Sequence, residues 1–251
     1  MRVGSWIVIV LVAAAAPGCA ARSGDSAPIL IVPFDSAATS TGAVPTTSVT
    51  VAEPATTSTT NGTTVPPAAM ALHERCLERA TFGDPQESPY LLPFAPGTGY
   101  TMFQGYCIEN SSHENQLAYD FSMPVGTEVI AARRGTVIDV KEDVAEGSFS
   151  RLFNYVAVRH PDGTIAFYAH LTTDGVLVEL WDTVEAGQVI ALSGATGRTH
   201  EGGLLHFGVY GGEPVREGWD VPVNFRNADG PLDARGGLRT GSFYRALDPG
   251  T

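Results

Sequence analysis

Basic residues are scarce in this 251-residue chain: 15 Lys plus Arg stand against 27 Asp plus Glu, a formal charge of −12. Such a surface repels nucleic acid and anionic lipid headgroups, which excludes both as direct partners. Lysine occurs once, at Lys141. A swinging-arm domain carrying lipoyl or biotin on a hairpin lysine is thereby excluded, although "VEAGQVIALSG" is a turn-and-strand phrase of the sort such domains use. No apolar run reaches the roughly 20 residues that a membrane-spanning helix needs. Between residues 90 and 250 no stretch keeps helical periodicity for three turns. Cysteine is limited to Cys19, Cys76 and Cys107.

Residues 1–19 read as an export address. "MR" precedes the apolar "WIVIVLVAAAA", the pattern of a secretory signal. The stretch ends in "APGC", which resembles the lipobox at which bacterial lipoproteins are cleaved and acylated, here on Cys19; the alternative is ordinary cleavage just after "GCA". The expected location is the cell envelope, as a lipid-anchored or else a secreted protein, with no other membrane contact. In that oxidising setting Cys76 and Cys107 pair by default. The alternative is two buried thiols.

Residues 20–68, typified by "TSTGAVPTTSVTVAEPATTSTTNGTTVPP", are rich in Thr, Ser, Pro and Ala. They cannot bury enough apolar area to offset their ordering entropy and read as a disordered tether, about 40 Å end to end as a flexible coil. Over 69–84, "AAMALHERCLERA" spaces Leu72, Cys76 and Ala80 for one face of a short helix.

From residue 85 to 251 the grammar is that of strands. "GTEVIAARRGTVIDV", "FNYVAVRH", "TIAFYAHL" and "LLHFGVY" are rich in Val, Ile, Phe and Tyr and are punctuated by Gly, Asp and Pro. An all-β domain is expected. Its unusual polar residues are His113, Asp120, His160, His170, His200 and His206. Two imidazoles and a carboxylate can hold Zn²⁺ with a fourth position open to water. Each histidine alone reads equally as a packed or surface residue; His160 before "PDG" suits a turn, and Arg133 and Arg134 suit solvated strand-end charges.

Three blocks in order, "SHENQLAYDFSMPVGTEVIAARRGTV", "NYVAVRHPDGTIAFYAHL" and "VEAGQVIALSGATGRTHEGGLLHFGV", resemble the lysostaphin-type zinc metalloendopeptidases, which cut peptide cross-links of bacterial cell walls. The resemblance implies a mainly antiparallel sheet or sandwich of the barrel-sandwich hybrid kind, one zinc ion, and peptidoglycan peptides as substrate for a monomeric enzyme. It places the metal ligands at His113, Asp120 and His206, and a catalytic histidine at His170. Asn115 and Tyr119 become candidates to line the groove beside the metal.

Within "TGRTHEGGLLHFGVYGG" the chain departs from the family at one position. Where the pattern reads His-x-His, this sequence has Leu204-Leu205-His206, so Leu204 replaces the second catalytic histidine. Side chains at i and i+2 of a strand share a face, which turns Leu204 toward the site of His206. His200 in "GRTHEGG" is a possible auxiliary imidazole, or else a surface loop residue. Three readings follow: a zinc peptidase with an incomplete histidine pair, a catalytically impaired wall-binding or hydrolase-regulating module, or a metal site kept for stability.

Overall fold

The computed structural model describes residues 70–148, 150–199 and 202–250. The signal and lipobox with Cys19, the linker over 20–68, and His200 lie outside the described residues. Among those described, no helix is long and apolar enough to cross a membrane.

A short helix, α1, spans Leu72–Arg79, and the Glu74 side chain accepts the Ala71 N–H at its start. Eleven strands follow: β1 Gly99–Gln104, β2 Ala118–Phe121, β3 Glu128–Ile130, β4 Gly135–Lys141, β5 Asn154–Arg159, β6 Ile165–Val176, β7 Thr183–Val184, β8 Val189–Ser193, β9 Leu205–Tyr210, β10 Ala228–Asp229 and β11 Ser242–Ala246. They form one sheet in the order β10-β11-β1-β2-β9-β6-β5-β4-β7, with β8 joining β6 and β3 joining β8. Every pairing is antiparallel. The chain is thus the all-β, mainly antiparallel structure expected.

Strand alternation sorts the central strands into two faces. Tyr119 and Phe121 of β2, Ala166 and Tyr168 of β6, and Leu205, Phe207 and Val209 of β9 enter the main core with Phe94, Met102 and Phe225. Ile165, Phe167 and Ala169 of β6 join Ala157 and Tyr210 in a smaller cluster on the other face. All six residues of β9 are buried, so both faces of this central strand are covered. Asp120 and His206 alternate with main-core residues and therefore sit on the second face.

The long strand β6 changes partner along one edge. Residues 165–169 pair with β9, whereas Leu171 and Val176 pair with β8. On its other edge Ala169 faces Tyr155 and Leu171 faces Asn154, leaving His170 as an unopposed extra residue. His170 has φ +63, a left-handed conformation uncommon outside glycine. A bulge of this kind re-aims one side chain, and here that side chain is His170.

The N-terminal helix is fastened to the sheet by a Cys76–Cys107 disulfide, with Cα atoms 5.5 Å apart and both residues buried. Arg79 adds a second tie: its Nη2 donates to both carboxylate oxygens of Asp220 at 3.0 and 3.1 Å, and its Nη1 donates to Asn115 Oδ1 at 3.0 Å. Asp220 also accepts the Leu117 backbone N–H at 2.5 Å. Both ties grip the segment between β1 and β2. Replacing Cys76 and Cys107 together by Ser is expected to destabilise the protein by about 3 kcal/mol, because the closed loop constrains the unfolded chain. Urea midpoints with and without reductant check this; a variant as stable as the oxidised protein would contradict it.

Candidate metal centre

Three side chains from separate segments converge on the second face. Asp120 of β2 and His206 of β9 are directly opposed across a strand pair, with His206 Nδ1 2.8 Å from Asp120 Oδ1. His113 comes from the β1–β2 segment and brings its Nε2 to 3.1 Å from His206 Nδ1 and 3.3 Å from Asp120 Oδ1. All three residues are buried.

The backbone fixes the tautomer of His113. Its Nδ1 lies 2.9 Å from the Gly105 carbonyl, which can only accept, so Nδ1 carries a proton and Nε2 of the neutral ring presents a lone pair. Ser111 Oγ accepts the His113 N–H, and the His113 carbonyl accepts the Gln116 N–H. The ring is thereby held from both ends. A hydrogen bond from a ligating histidine to a backbone carbonyl is the usual orienting device of metal sites.

The donor set fits a dication. With both rings neutral, His113 Nε2 and Asp120 Oδ1 are both acceptors, and a single proton on His206 Nδ1 cannot serve the two of them well. Three ligand atoms around a tetrahedral zinc, at bond lengths near 2.0–2.1 Å, stand about 3.3 Å apart. The observed separations of 2.8, 3.1 and 3.3 Å are close to that triangle. Three protein ligands leave one position open, the mark of a catalytic rather than a closed structural site.

Electrostatics in the apo triad show the same mutual dependence. Burial alone would push the Asp120 carboxyl up, but the charge and hydrogen bond of His113 and the hydrogen bond of His206 outweigh it and hold the group well below the usual carboxylate range. Burial pulls His113 down, and Asp120 more than reverses this, so His113 is raised.

His170 stands beside the triad, its ring centroid 6.2 Å from that of His206. Nδ1 is 2.7 Å from the Thr196 carbonyl and must donate to it, so Nε2 is left as an acceptor. Burial, reinforced by His206, lowers its pKa to about 4. Phe153 packs against the ring at 5.1 Å between centroids. Leu204 is 3% exposed and bridges to Gly194. A Cβ on Gly194 would come within 2.3–2.5 Å of the Leu171–Thr172 backbone, so only glycine permits the approach that sets Leu204 beside the His170 end of β6.

Other candidates fall elsewhere. Tyr119 does not line a groove: it is 1% exposed in the main core, with its hydroxyl donating to the Val223 carbonyl, because alternation turns it away from neighbouring Asp120. Asn115 is engaged by Arg79 and by Glu217. Arg133 is not a freely solvated charge, since it pairs with Asp162 at 2.6 Å and stacks over Tyr90. His160 does close a turn, its carbonyl accepting the Gly163 N–H. The positioning groups that sequence reading missed are the carbonyls of Gly105 and Thr196, for which residue identity carries no signal, and the Arg79–Asp220 pair.

A β-sheet face that presents two imidazoles and a carboxylate around one point, with a bulged histidine alongside, is a donor arrangement suited to a single metal ion. Residues 114–217 match peptidase family M23, a span that begins one residue after His113 and includes Asp120, His170 and His206. Over that span the chain is similar to the M23 peptidases. Among similar proteins, peptidoglycan DD-endopeptidase ShyB of Vibrio cholerae is 37% identical over 113 residues, covering 45% of this chain and 23% of that protein. An uncharacterized metalloprotease of Buchnera aphidicola is 32% identical over 102 residues, covering 41% and 24% respectively. The chain thus spans about a quarter of the length of these relatives. Similar solved structures include the catalytic domain of lysostaphin from Staphylococcus simulans, at 25% identity and TM-score 0.33, covering 45% of this chain and 79% of that one. Another is a zinc-containing peptidase from Vibrio cholerae, at 31% identity and TM-score 0.32, covering 50% and 35%.

His170 is expected to stay neutral across the neutral and mildly acidic range. In the metal-free protein its ring resonances should hold constant from pH 8 to about 5 and titrate near 4, against 6.5 for a free imidazole. The unfolded chain takes up this proton below pH 6.5 and the folded chain does not until about 4, so the associated stability is complete above 6.5 and is lost as pH falls through that window. A His170→Asn variant should show a flatter stability profile over the same window. A ring titrating near 6.5 would contradict the assignment.

Proposed function

We propose that this protein is a single-zinc peptidase directed at peptidoglycan peptides, with His113 Nε2, Asp120 Oδ1 and His206 Nδ1 as metal ligands and His170 as its one catalytic histidine. The observation that carries the reading is the convergence of those three ligand-type atoms within 2.8–3.3 Å on one buried face of the sheet. The match of residues 114–217 to peptidase family M23 and the similarity to a DD-endopeptidase support the substrate class. The Cys76–Cys107 disulfide supports an oxidising location outside the cytosol, in keeping with an exported envelope protein.

Zinc bound here would lower the pKa of a water and polarise a peptide carbonyl. The rest falls to the chain. His170 Nε2, kept unprotonated by its buried setting and by the Nδ1–H bond to Thr196, is an acceptor for a proton from the attacking water. The bulge aims that nitrogen at the side of the sheet on which the triad stands. Asp120 and His113 remain fixed, since the backbone bond of His113 and the β2–β9 register resist displacement. Leu204 can neither give nor accept a proton, so nothing from that strand position steadies developing charge or protonates the leaving amine.

The second reading rests on Leu204 specifically: the chain has given up turnover and serves as a peptidoglycan-binding or hydrolase-regulating module. Loss of one general acid or base commonly costs about 10² to 10⁴ in rate. Leu204→His is therefore expected to raise release of soluble fragments from purified peptidoglycan by about 10²-fold or more. A slow, chelator-sensitive release by the native chain supports the peptidase. Release by Leu204→His alone supports the module, and release by neither, from zinc-loaded protein, contradicts the catalytic assignment.

Metal binding is tested independently of turnover. Asp120→Asn and His113→Ala are each expected to weaken zinc affinity by more than about 100-fold, beyond the effect of losing an orienting partner. Competition with a chromogenic chelator measures this. Affinities matching the native chain would remove the proposed centre.

A further inference from the structure

A second recess lies away from the metal centre, bounded by the ends of β4 and β5, by β7, and by the turn that precedes β7. Its volume is about 320 Å³, and Arg134, Thr136, Arg159, His160, Trp181 and Thr183 are among the residues that line it. Arg159 pairs with Ile165 at the start of β6, five residues before His170. At about 3.4 Å per residue that is roughly 17 Å along the strand, too far for the recess to be part of the zinc site.

Several of its features have no role in the fold. Trp181 is 67% exposed and has φ +76, a strained conformation for a bulky residue. Its backbone is pinned there, since Trp181 N–H donates to the Val137 carbonyl and Asp182 Oδ2 accepts the Glu179 N–H. The indole is thus displayed rather than buried. Arg159 has no ion-pair or hydrogen-bond partner for its guanidinium among the described residues, in a chain whose net charge is −12. Arg134 uses Nε on Glu185 at 2.9 Å and keeps both Nη nitrogens free. Nearby Arg133 is neutralised by Asp162. His160 is 3% exposed and gives Nδ1 to the Arg134 carbonyl, while its buried Nε2 has no partner.

We propose that this recess is a binding site for a carboxylate-bearing saccharide, the peptide-free glycan strand of the wall polymer, with the ring stacked on Trp181 and the lactyl carboxylate taken by Arg159 and Arg134. A flat aromatic face suits the apolar face of a pyranose, the two threonine hydroxyls suit its hydroxyl groups, and guanidinium forks suit a carboxylate. Strained residues held in place by the surrounding structure cluster at ligand sites. The proposal rests on the reading of the chain as peptidoglycan-directed, and it assigns the glycan to a site separate from the peptide.

Titration calorimetry of the zinc-loaded full chain with peptide-free glycan strands, which bear free lactyl carboxylates, tests it; neutral chitotetraose and free stem peptide are the comparison probes. The acidic strands should bind at least about tenfold more tightly than chitotetraose, and Trp181→Ala and Arg159→Gln should each weaken them about tenfold or more. Both residues are exposed, so neither change threatens the core, and Trp219→Phe is expected to leave binding unchanged. Equal affinity for acidic and neutral strands, preference for the stem peptide, or native affinity in both variants overturns the proposal. No step requires turnover: fragment release without glycan binding defeats the second site alone, and glycan binding without zinc affinity defeats only the metal centre.

Discussion

The direct opposition of Asp120 and His206 across β2 and β9 is the constraint on which the site depends. In an antiparallel pair, opposed residues share a face and their side chains meet. A slip of one residue would send Asp120 into the main core, where Tyr119 and Phe121 now lie, and expose those rings. The aromatic packing of the main core therefore fixes the polar pair on the opposite face. Tyr119, Phe121, Phe207 and Phe225 form a chain of ring contacts with centroids 5.5–6.5 Å apart, so the register that makes the site is the register that fills the core.

His113 has no such strand register to hold it, and different forces perform that task. Its segment is tied at Cys107 by the disulfide and at Asn115 and Leu117 through Arg79 and Asp220. The short helix α1 is the anchor of both ties. An eight-residue helix is marginal alone. It is stable here because Cys76 is covalently joined and Arg79 finds a buried carboxylate. A segment N-terminal to the β domain thus determines the position of one of the three site residues, although it contributes no ligand atom.

Much of this was legible in the sequence, because strand grammar and family motifs act locally. Alternating apolar residues in "LAYDF" and "LLHFGV" predict strands, and the three motif blocks predict which polar residues share a site. The pairing of Cys76 with Cys107 followed from compartment alone. What escaped depends on contacts distant in sequence. Nothing in "FYAHL" announces that His170 is an unopposed bulge with a left-handed backbone, since that arises where β6 exchanges β9 for β8. Tyr119, a candidate groove residue, lies instead in the main core, because strand alternation separates it from its neighbour Asp120. Arg133 looked solvated because its partners, Asp162 and Tyr90, lie 29 and 43 residues away.

The physics of the triad also bears on how Leu204 is weighed. A carboxylate as buried as Asp120 is tolerable only when paired, and removing one partner of a buried ion pair costs about 3 to 5 kcal/mol. His113, Asp120 and His206 are each other's partners, so the fold itself resists loss of any one of them whether or not the protein turns over. Retention of these three residues is consequently weak evidence for catalysis. Position 204 is under no such constraint, because an imidazole there can be exchanged for an isobutyl group without leaving a buried charge unpaired. Under the proposed function, catalytic capacity can therefore fall away at residue 204 while the cluster of His113, Asp120 and His206 persists. That asymmetry makes Leu204, rather than the ligand set, the residue that divides a working peptidase from a wall-binding module.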